Sequence, residues 1–435
     1  MGRRRREIRM SVVNDPNHSM FVSDENRRIA RERAAANVAM IADYLAVKDS
    51  IPTGVSERDR IEERKRRILG VLGGDQSNWD DWKWHIKNSI RDCATLAKIL
   101  PLTEEDIAGI ERTATRYRWS ISPYYASLMN PDVGKCPIRM QAVPTVWEYL
   151  DEEESGDAYA IVYNSPAPLI TRLYADRLII NVTNICSVFC RHCLRKKDIS
   201  LKDETYPRGD VQAAIDYVAG CPEVRDVLIT GGDALMLSNG YLDWILTKLE
   251  EIPHVEIMRL GSRMLATLPQ RVTPDLCEML SRHKPVYLNT QFNHPIEVTV
   301  EARQAVDQLI NAGVLVGNQS VLLKGINNQV HVMKKLVQEL LRARVRPYYI
   351  FNCKKLQGIR HLRASIRDGL NIMENLRGYT SGLAVPTYII TAPEGKGKTP
   401  IEPIYLLNIN RNGKVLFRTW GGCVCEYEDE PPEGQ

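Results

Sequence analysis

From about residue 176 the chain changes character, and that change limits the folds open to it. Short apolar runs rich in β-branched residues alternate with stretches of helical period. The runs fall at 178–184, 226–231, 255–261, 286–292, 314–320 and 345–352, and helical stretches follow near 210–219, 241–252, 274–282, 299–312, 330–343 and 364–376. Six strand-then-helix units predict an α/β fold with a parallel sheet covered by helices, because a parallel connection needs a crossover that long. A closed barrel would need about eight units, so the expectation is a partial (βα)6 barrel. In such folds the chemistry sits at the C-terminal ends of the strands.

The rest divides around this core. Residues 1–75 are polar and Arg-rich, an extension read as helical or partly disordered, with a helix near 26–47 and breaks at 51–54 and 70–74. Residues 76–175 form a helical N-terminal region in which Thr103 precedes Glu104, Glu105 and Asp106 as an N-cap. The barrel takes 176–378, a C-terminal segment with a lysine loop takes 379–425, and 426–435 is an acidic, Pro-containing tail read as disordered. No apolar run approaches the ~20 residues of a membrane span. The N-terminus, MGRRRREIRM, lacks the apolar stretch of a secretory signal. A net charge of +4 with mixed signs over 435 residues gives no nucleic-acid signature, and the arginines at 3–6 read as a solvated tail. The expectation is a cytoplasmic protein with no membrane or nucleic-acid partner.

The ten cysteines are not spaced as a disulfide framework. Three of them stand together in NICSVFCRHC, as Cys186, Cys190 and Cys193, directly after the first predicted strand. The C-x3-C-x2-C spacing lets three thiolates wrap one face of an iron–sulfur cube and leaves one iron open to a ligand. A structural zinc is the competing reading, but it wants four ligands, and His192 lies between two of the cysteines in tight geometry. Gly231, Gly232 and Asp233 end the second strand, where missing side chains permit close backbone approach to a ligand. A plain turn explains a GGD equally well.

Long stretches carry a more specific signal: WDDWKWHIKNSIRD, SPYYASLMNP, CSVFCRHC, LNTQFNHP, GNQSVLL, RPYYIFNC, LRGYTSGLAVPT and APEGKGKTP. From about residue 79 to about 422 the chain resembles the lysine 2,3-aminomutase family of radical S-adenosylmethionine enzymes. The resemblance implies a [4Fe–4S] cluster on the three cysteines, S-adenosylmethionine at its open iron, and pyridoxal 5′-phosphate on a lysine. It also implies a radical-SAM-type barrel with a C-terminal extension holding that lysine. Other implications are an electron donor such as flavodoxin or ferredoxin, and a homo-oligomer.

The lysine loop, TAPEGKGKTP over 391–400, has three readings. A phosphate-binding P-loop fails, since Ala392 stands where Gly is needed and Pro400 and Pro403 oppose the helix that should follow. An exposed turn with solvated lysines suits the loop taken alone. A Schiff-base lysine is the third, and the resemblance selects it at Lys398, with Lys396 as competitor. By the same resemblance Tyr174 stacks on the cofactor ring and Arg177 lies nearby. Arg195 grips the substrate carboxylate, as a guanidinium suits. Gly231, Gly232, Asp233, Gln319 and Ser320 meet the adenosylmethionine. Arg191, Lys196 and Lys197 read as solvated cations.

Two departures from the lysine-specific members concern the substrate. The two aspartates that would face a substrate ammonium are replaced by Lys354 and Thr391. A cation at 354 repels lysine and attracts a side-chain carboxylate, a reversal resembling the glutamate-specific members. Those members usually show an amide at the second position, and Thr391 departs from that. The expected reaction interconverts L-glutamate and β-glutamate. The alternatives are lysine, aspartate or alanine as substrate, or a non-catalytic iron–sulfur carrier. Outward-facing Lys354, with Lys355 or Lys396 as the relevant cation, is the bland alternative for the pocket. The family's structural zinc set is reduced here to Cys423 and Cys425, with Glu428 and Gln329 at the other two positions, so no such zinc is expected.

Overall fold

The computed structural model describes residues 23–132, 134–152, 160–196, 202–283, 285–410 and 413–429. The chain divides into two compact units, Met1–Val47 and Lys48–Gln435. The first carries the helix Asp24–Ala39, N-capped by Ser23, and the short helix Ala42–Val47. The continuous helix expected over 26–47 is thus broken at Met40 and Ile41.

The second unit is built on one nine-stranded sheet. Its strands are β1 (Ile170–Thr171), β2 (Arg177–Thr183), β3 (Asp226–Gly231), β4 (Ile257–Gly261), β5 (Val286–Thr290), β6 (Leu315–Leu322), β7 (Arg346–Asn352), β8 (Thr387–Thr391) and β9 (Lys398–Pro400). They lie side by side in sequence order, and the order does not close. Strands β2 to β8 are parallel, while β1 and β9 are antiparallel at the edges. Each of β2 to β7 leads into a crossover helix: Arg208–Ala219, Asn239–Glu250, Pro274–Ser281, Val300–Asn311, Val330–Arg342 and Ile366–Leu376. This is the expected (βα)6 partial barrel with one further parallel strand, β8. The run before the lysine loop joins the main sheet as β8.

Side-chain alternation explains the core. Leu178, Ile180 and Val182 on β2, Val227 and Ile229 on β3, and Met258 and Leu260 on β4 point to the helices and are buried. The helices answer with Val211, Ile215 and Val218, or Leu242, Ile245, Leu246 and Leu249, on one face. Gly369 marks a close approach, because a Cβ there would collide with the ring of Tyr388 on β8.

Residues 48–75 belong with this unit and not with an appended extension. The helix Arg58–Leu72 buries Ile61, Ile68 and Leu69, and Arg64 Nε donates to the Ser127 carbonyl at 2.6 Å. The region 76–175 breaks into short capped helices. Thr103 caps Glu104–Ala114 in a capping box with Asp106, as expected. A small antiparallel sheet of β10 (Leu406–Ile409), β11 (Lys414–Arg418) and β12 (Val424–Glu428) follows β9. Among the described residues no helix is long and apolar enough to cross a membrane.

Candidate active site

A cavity of about 330 Å³ runs along the inner side of the open sheet. At one end it meets the loop after β2 and the loop after β3. Cys186, Cys190 and Cys193 all line it there, together with Gly231, Gly232 and Asp233. Both glycines are required by geometry. Gly231 has φ +133°, and a Cβ on it would strike the Thr183 carbonyl; a Cβ on Gly232 would strike that of Ile185. The backbone feeding the cysteine loop thus lies directly on the end of β3. Asp233 is buried and fastens the next strand end, since its carboxylate accepts from Leu235 N–H (3.0 Å) and Arg263 N–H (2.8 Å).

Burial pushes the free Cys193 thiol up to about 11, and burial also holds the Cys186 thiol well above its ordinary value. Loading a metal here displaces thiol protons. Three thiols on one short loop, opening on a shared cavity, fit a [4Fe–4S] cluster with one iron left accessible. His192 adds a fixed donor. The Asn293 Oδ1 accepts from Val321 N–H (2.8 Å), so its Nδ2 is the donor toward His192 Nε2 at 3.3 Å. His192 therefore carries its proton on Nδ1, which is buried and has no partner among the described residues.

Two of the cations around this loop are not solvated. Arg191 and Lys196 are buried, and both clasp Glu148 on the helix Val146–Tyr149, at 2.6 and 2.5 Å. Burial raises the Glu148 carboxyl, but Arg191 and Lys196 outweigh it and hold it below its ordinary value. A run of cations normally marks a solvated face; here a carboxylate 43 residues upstream takes them inside. Lys197 lies outside the described residues.

At the other end of the cavity stand groups from the starts of the strands. Arg177 opens β2 with its guanidinium 3.9 Å from the centre of the Tyr174 ring. Asp226 opens β3 and accepts from Arg259 Nε at 2.7 Å. Lys398 opens β9, with Nζ 4.8 Å from the centre of the Phe351 ring. Burial pushes the Lys398 ammonium down to about 8, and the guanidiniums of Arg259 and Arg177 act in the same direction. Lys396 is exposed and pairs with Glu394 at 2.8 Å. The lysine loop is a tight hairpin: Ala392 N–H donates to Gly397 O at 2.8 Å, and the strand after it replaces the helix a P-loop requires.

Arg195, Lys354, Thr391 and Gln319 all line the cavity. Arg195 Nη1 donates to Gly231 O at 2.5 Å. Lys354 lines the cavity, whereas Lys355 is exposed and does not. Thr391 is the direct cross-strand partner of Lys398. Ser320 does not face the cavity: its hydroxyl donates to Phe292 O at 2.8 Å and so supports the loop after β5. Gln319 and Ser320 are consecutive on β6, so strand alternation sends Gln319, with Val321, to the cavity and Ser320 to the other face. Cys423 is exposed, and Cys425 lies on β12. Glu148, Asp226, Arg259, Arg263 and Glu297 were invisible in sequence as site residues, because each acquires meaning only from a distant partner.

The lysine cluster also fits its group. A half-buried lysine of lowered basicity, flanked by an aromatic–guanidinium pair and an Asp–Arg pair, suits an anionic aldehyde cofactor such as pyridoxal phosphate. Known proteins agree with this chemistry. The family model described as Lysine-2,3-aminomutase matches residues 373–434. The chain is 49% identical over 408 residues to glutamate 2,3-aminomutase of Clostridioides difficile, covering 94% of this chain and 96% of that one. It is 45% identical to L-lysine 2,3-aminomutase of Fusobacterium nucleatum, over 85% of this chain and 86% of that one. For the Clostridium subterminale L-lysine 2,3-aminomutase the figures are 44%, 81% and 85%. Among solved structures, Streptococcus suis SuiB bound to S-adenosylmethionine gives a TM-score of 0.39 at 13% identity over half of each chain, a likeness that adds nothing to the argument. The chain belongs to the lysine 2,3-aminomutase family: it is an isomerase of the radical S-adenosylmethionine type whose cofactors are a [4Fe–4S] cluster, S-adenosylmethionine and pyridoxal 5′-phosphate.

Proposed function

We propose that this aminomutase moves the amino group of L-glutamate between carbon 2 and carbon 3. One observation carries the reading: Lys354 faces the cavity that Arg195, Thr391 and Lys398 also line, and neither substrate-facing position bears a carboxylate. A lysine substrate would bring a second ammonium to a wall already holding a cation. A glutamate side chain would gain a charge-assisted hydrogen bond there. The similarity to the Clostridioides difficile glutamate enzyme points the same way.

When bound, the reduced cluster and adenosylmethionine supply a 5′-deoxyadenosyl radical, and pyridoxal phosphate supplies a carbonyl carbon to carry the migrating nitrogen. Cys186, Cys190 and Cys193 hold the cluster. Gly231 and Gly232, having no side chains, let backbone groups approach the methionine part, and Gln319 lines the same region. Lys398 Nζ, neutral just above pH 8, is the amine that anchors pyridoxal phosphate. Tyr174 offers its ring to the pyridine, and Arg177 and Arg259 offer guanidiniums to the phosphate. Arg195, braced by Gly231 O, takes the substrate's α-carboxylate in a two-point grip. Lys354 takes the side-chain carboxylate, so the substrate is fixed at both ends and carbon 3 is held in one place.

The reading also includes a small electron donor of the flavodoxin or ferredoxin type, a cytoplasmic setting that keeps the thiols reduced, and assembly of copies of the chain. Exposed Leu406, Ile409 and Val424 on the small sheet support the last. Anaerobic turnover of L-glutamate against L-lysine tests the substrate. A β-amino product forming faster from glutamate is expected; faster conversion of lysine, aspartate or alanine overturns the assignment.

A further inference from the structure

Beneath the cysteine loop lies a buried ion pair that the substrate chemistry does not use. Arg263 follows β4, and every arm of its guanidinium is engaged. Nη1 touches Cys190 Sγ at 2.7 Å, and Nε donates to Gln291 O at 3.1 Å. Nη2 donates to Glu297 Oε1 at 2.7 Å and Gln141 Oε1 at 2.6 Å, with Tyr125 Oη at 3.0 Å. Glu297 is fully buried and itself saturated: Tyr125 Oη donates to Oε1 (2.7 Å), and the backbone N–H groups of Asn293 and His294 donate to Oε2 at 2.5 and 2.9 Å. The pair is thus a fixed dipole, its positive end against one cysteine sulfur and its negative end turned away. A pair needed only for stability would not have to point at that sulfur, and a buried pair is weak evidence of stability in any case.

We propose that Arg263, held by Glu297, is a positioning residue that sets the reduction potential of the cluster through its contact with Cys190 Sγ. This rests on the reading that the three cysteines carry the cluster. Reduction adds an electron whose density spreads onto the cysteine sulfurs. A guanidinium donating to one of them stabilises the reduced form and raises the potential. The Glu297 carboxylate moderates that effect by partly neutralising the guanidinium. The two halves of the pair must therefore act with opposite sign, which a merely structural role would not produce.

The test uses the full chain, anaerobically loaded with iron and sulfide, titrated potentiometrically with the cluster signal read by electron paramagnetic resonance. Arg263→Gln is expected to disfavour reduction about tenfold, a shift of about 59 mV to lower potential for a one-electron couple. Glu297→Gln keeps the shape and removes the countercharge, so it is expected to move the potential upward. Arg263→Lys, with a point charge in place of the fork, should fall between Arg263→Gln and the parent. Fully loaded Arg263→Gln with an unchanged potential overturns the proposal, as does a downward shift in Glu297→Gln. If Arg263→Gln does not load, the sign of the Glu297→Gln shift decides alone. Iron and sulfide content of the parent chain reports separately on the cluster reading, since a parent with no cluster refutes that reading first.

Discussion

The hydroxyl of Tyr174 accepts the backbone N–H of Lys398 at 2.7 Å, across 224 residues of chain. Tyr174 precedes β2 at one side of the sheet, and Lys398 begins β9 at the other. The bond therefore spans the opening that a partial barrel leaves, and it fixes the lysine hairpin over the cavity. Gly397 sits at φ +90° with the Tyr174 ring 3.2 Å from where its Cβ would be, so the hairpin and ring are in contact. Tyr174→Phe keeps the ring and leaves that N–H unpaired, at a cost of about 1–3 kcal/mol. We expect pyridoxal phosphate to bind at least fivefold more weakly by equilibrium dialysis, with iron content unchanged.

Lys398 supplies the second prediction. Its ammonium is held near 8, below the ordinary 10.5 of a lysine, by burial and two guanidiniums. Below pH 8 it is protonated and unreactive; above pH 8 it is neutral. Borohydride trapping of pyridoxal phosphate on the chain should rise about tenfold per pH unit up to 8 and level off above it. The trapped label should map to Lys398 by peptide mass. A rate still climbing through pH 10, or label on exposed Lys396, contradicts the assignment.

The proposed preference for glutamate is tested at two cavity-lining positions, Lys354 and Thr391. Lys354→Asp with Thr391→Asp restores two carboxylates beside Lys398, since Thr391 is its cross-strand partner. Loss of one charge-assisted contact and gain of a repulsive one are together worth about 2–5 kcal/mol. The double variant should lose at least about thirtyfold in kcat/KM for glutamate and acquire measurable turnover of lysine. Preserved preference for glutamate would remove Lys354 from the recognition role.

Glu148 tests the clasp beneath the cysteine loop. Glu148→Ala removes the buried carboxylate that Arg191 and Lys196 share, a change typically costing about 3–5 kcal/mol. Denaturant midpoints of the metal-free chain should fall accordingly. Arg118→Ala, at a half-exposed pair with Asp203, should cost no more than about 1 kcal/mol.

Particular residues show how far sequence reaches. Strand and helix periods are local, so all six βα units were legible to within about three residues. The cysteine triad is also local, as are the glycines whose missing side chains the backbone demands. Lys354 stands out in the sequence because a reversed charge against a known pattern is a sequence property, and the structure places it in the cavity lining. Arg191 and Lys196 were misjudged because Glu148 lies far upstream, and Ser320 lies off the cavity because it alternates with Gln319 on β6 and bonds the Phe292 carbonyl. Residues 48–75 looked like an appendage because an Arg-rich helix hides its apolar stripe in composition.

The sequence by itself determined the sheet, the cysteine loop and the lysine, because spacing and period depend on neighbours along the chain. Only the tertiary structure decided that Tyr174 meets Lys398 and that Arg263 meets Cys190 with Glu297 behind it. It also decided that Lys354, Thr391 and Arg195 face one cavity. Those contacts join residues tens to hundreds of positions apart, and electrostatic and hydrogen-bond energies depend on distance in space, which no local pattern encodes.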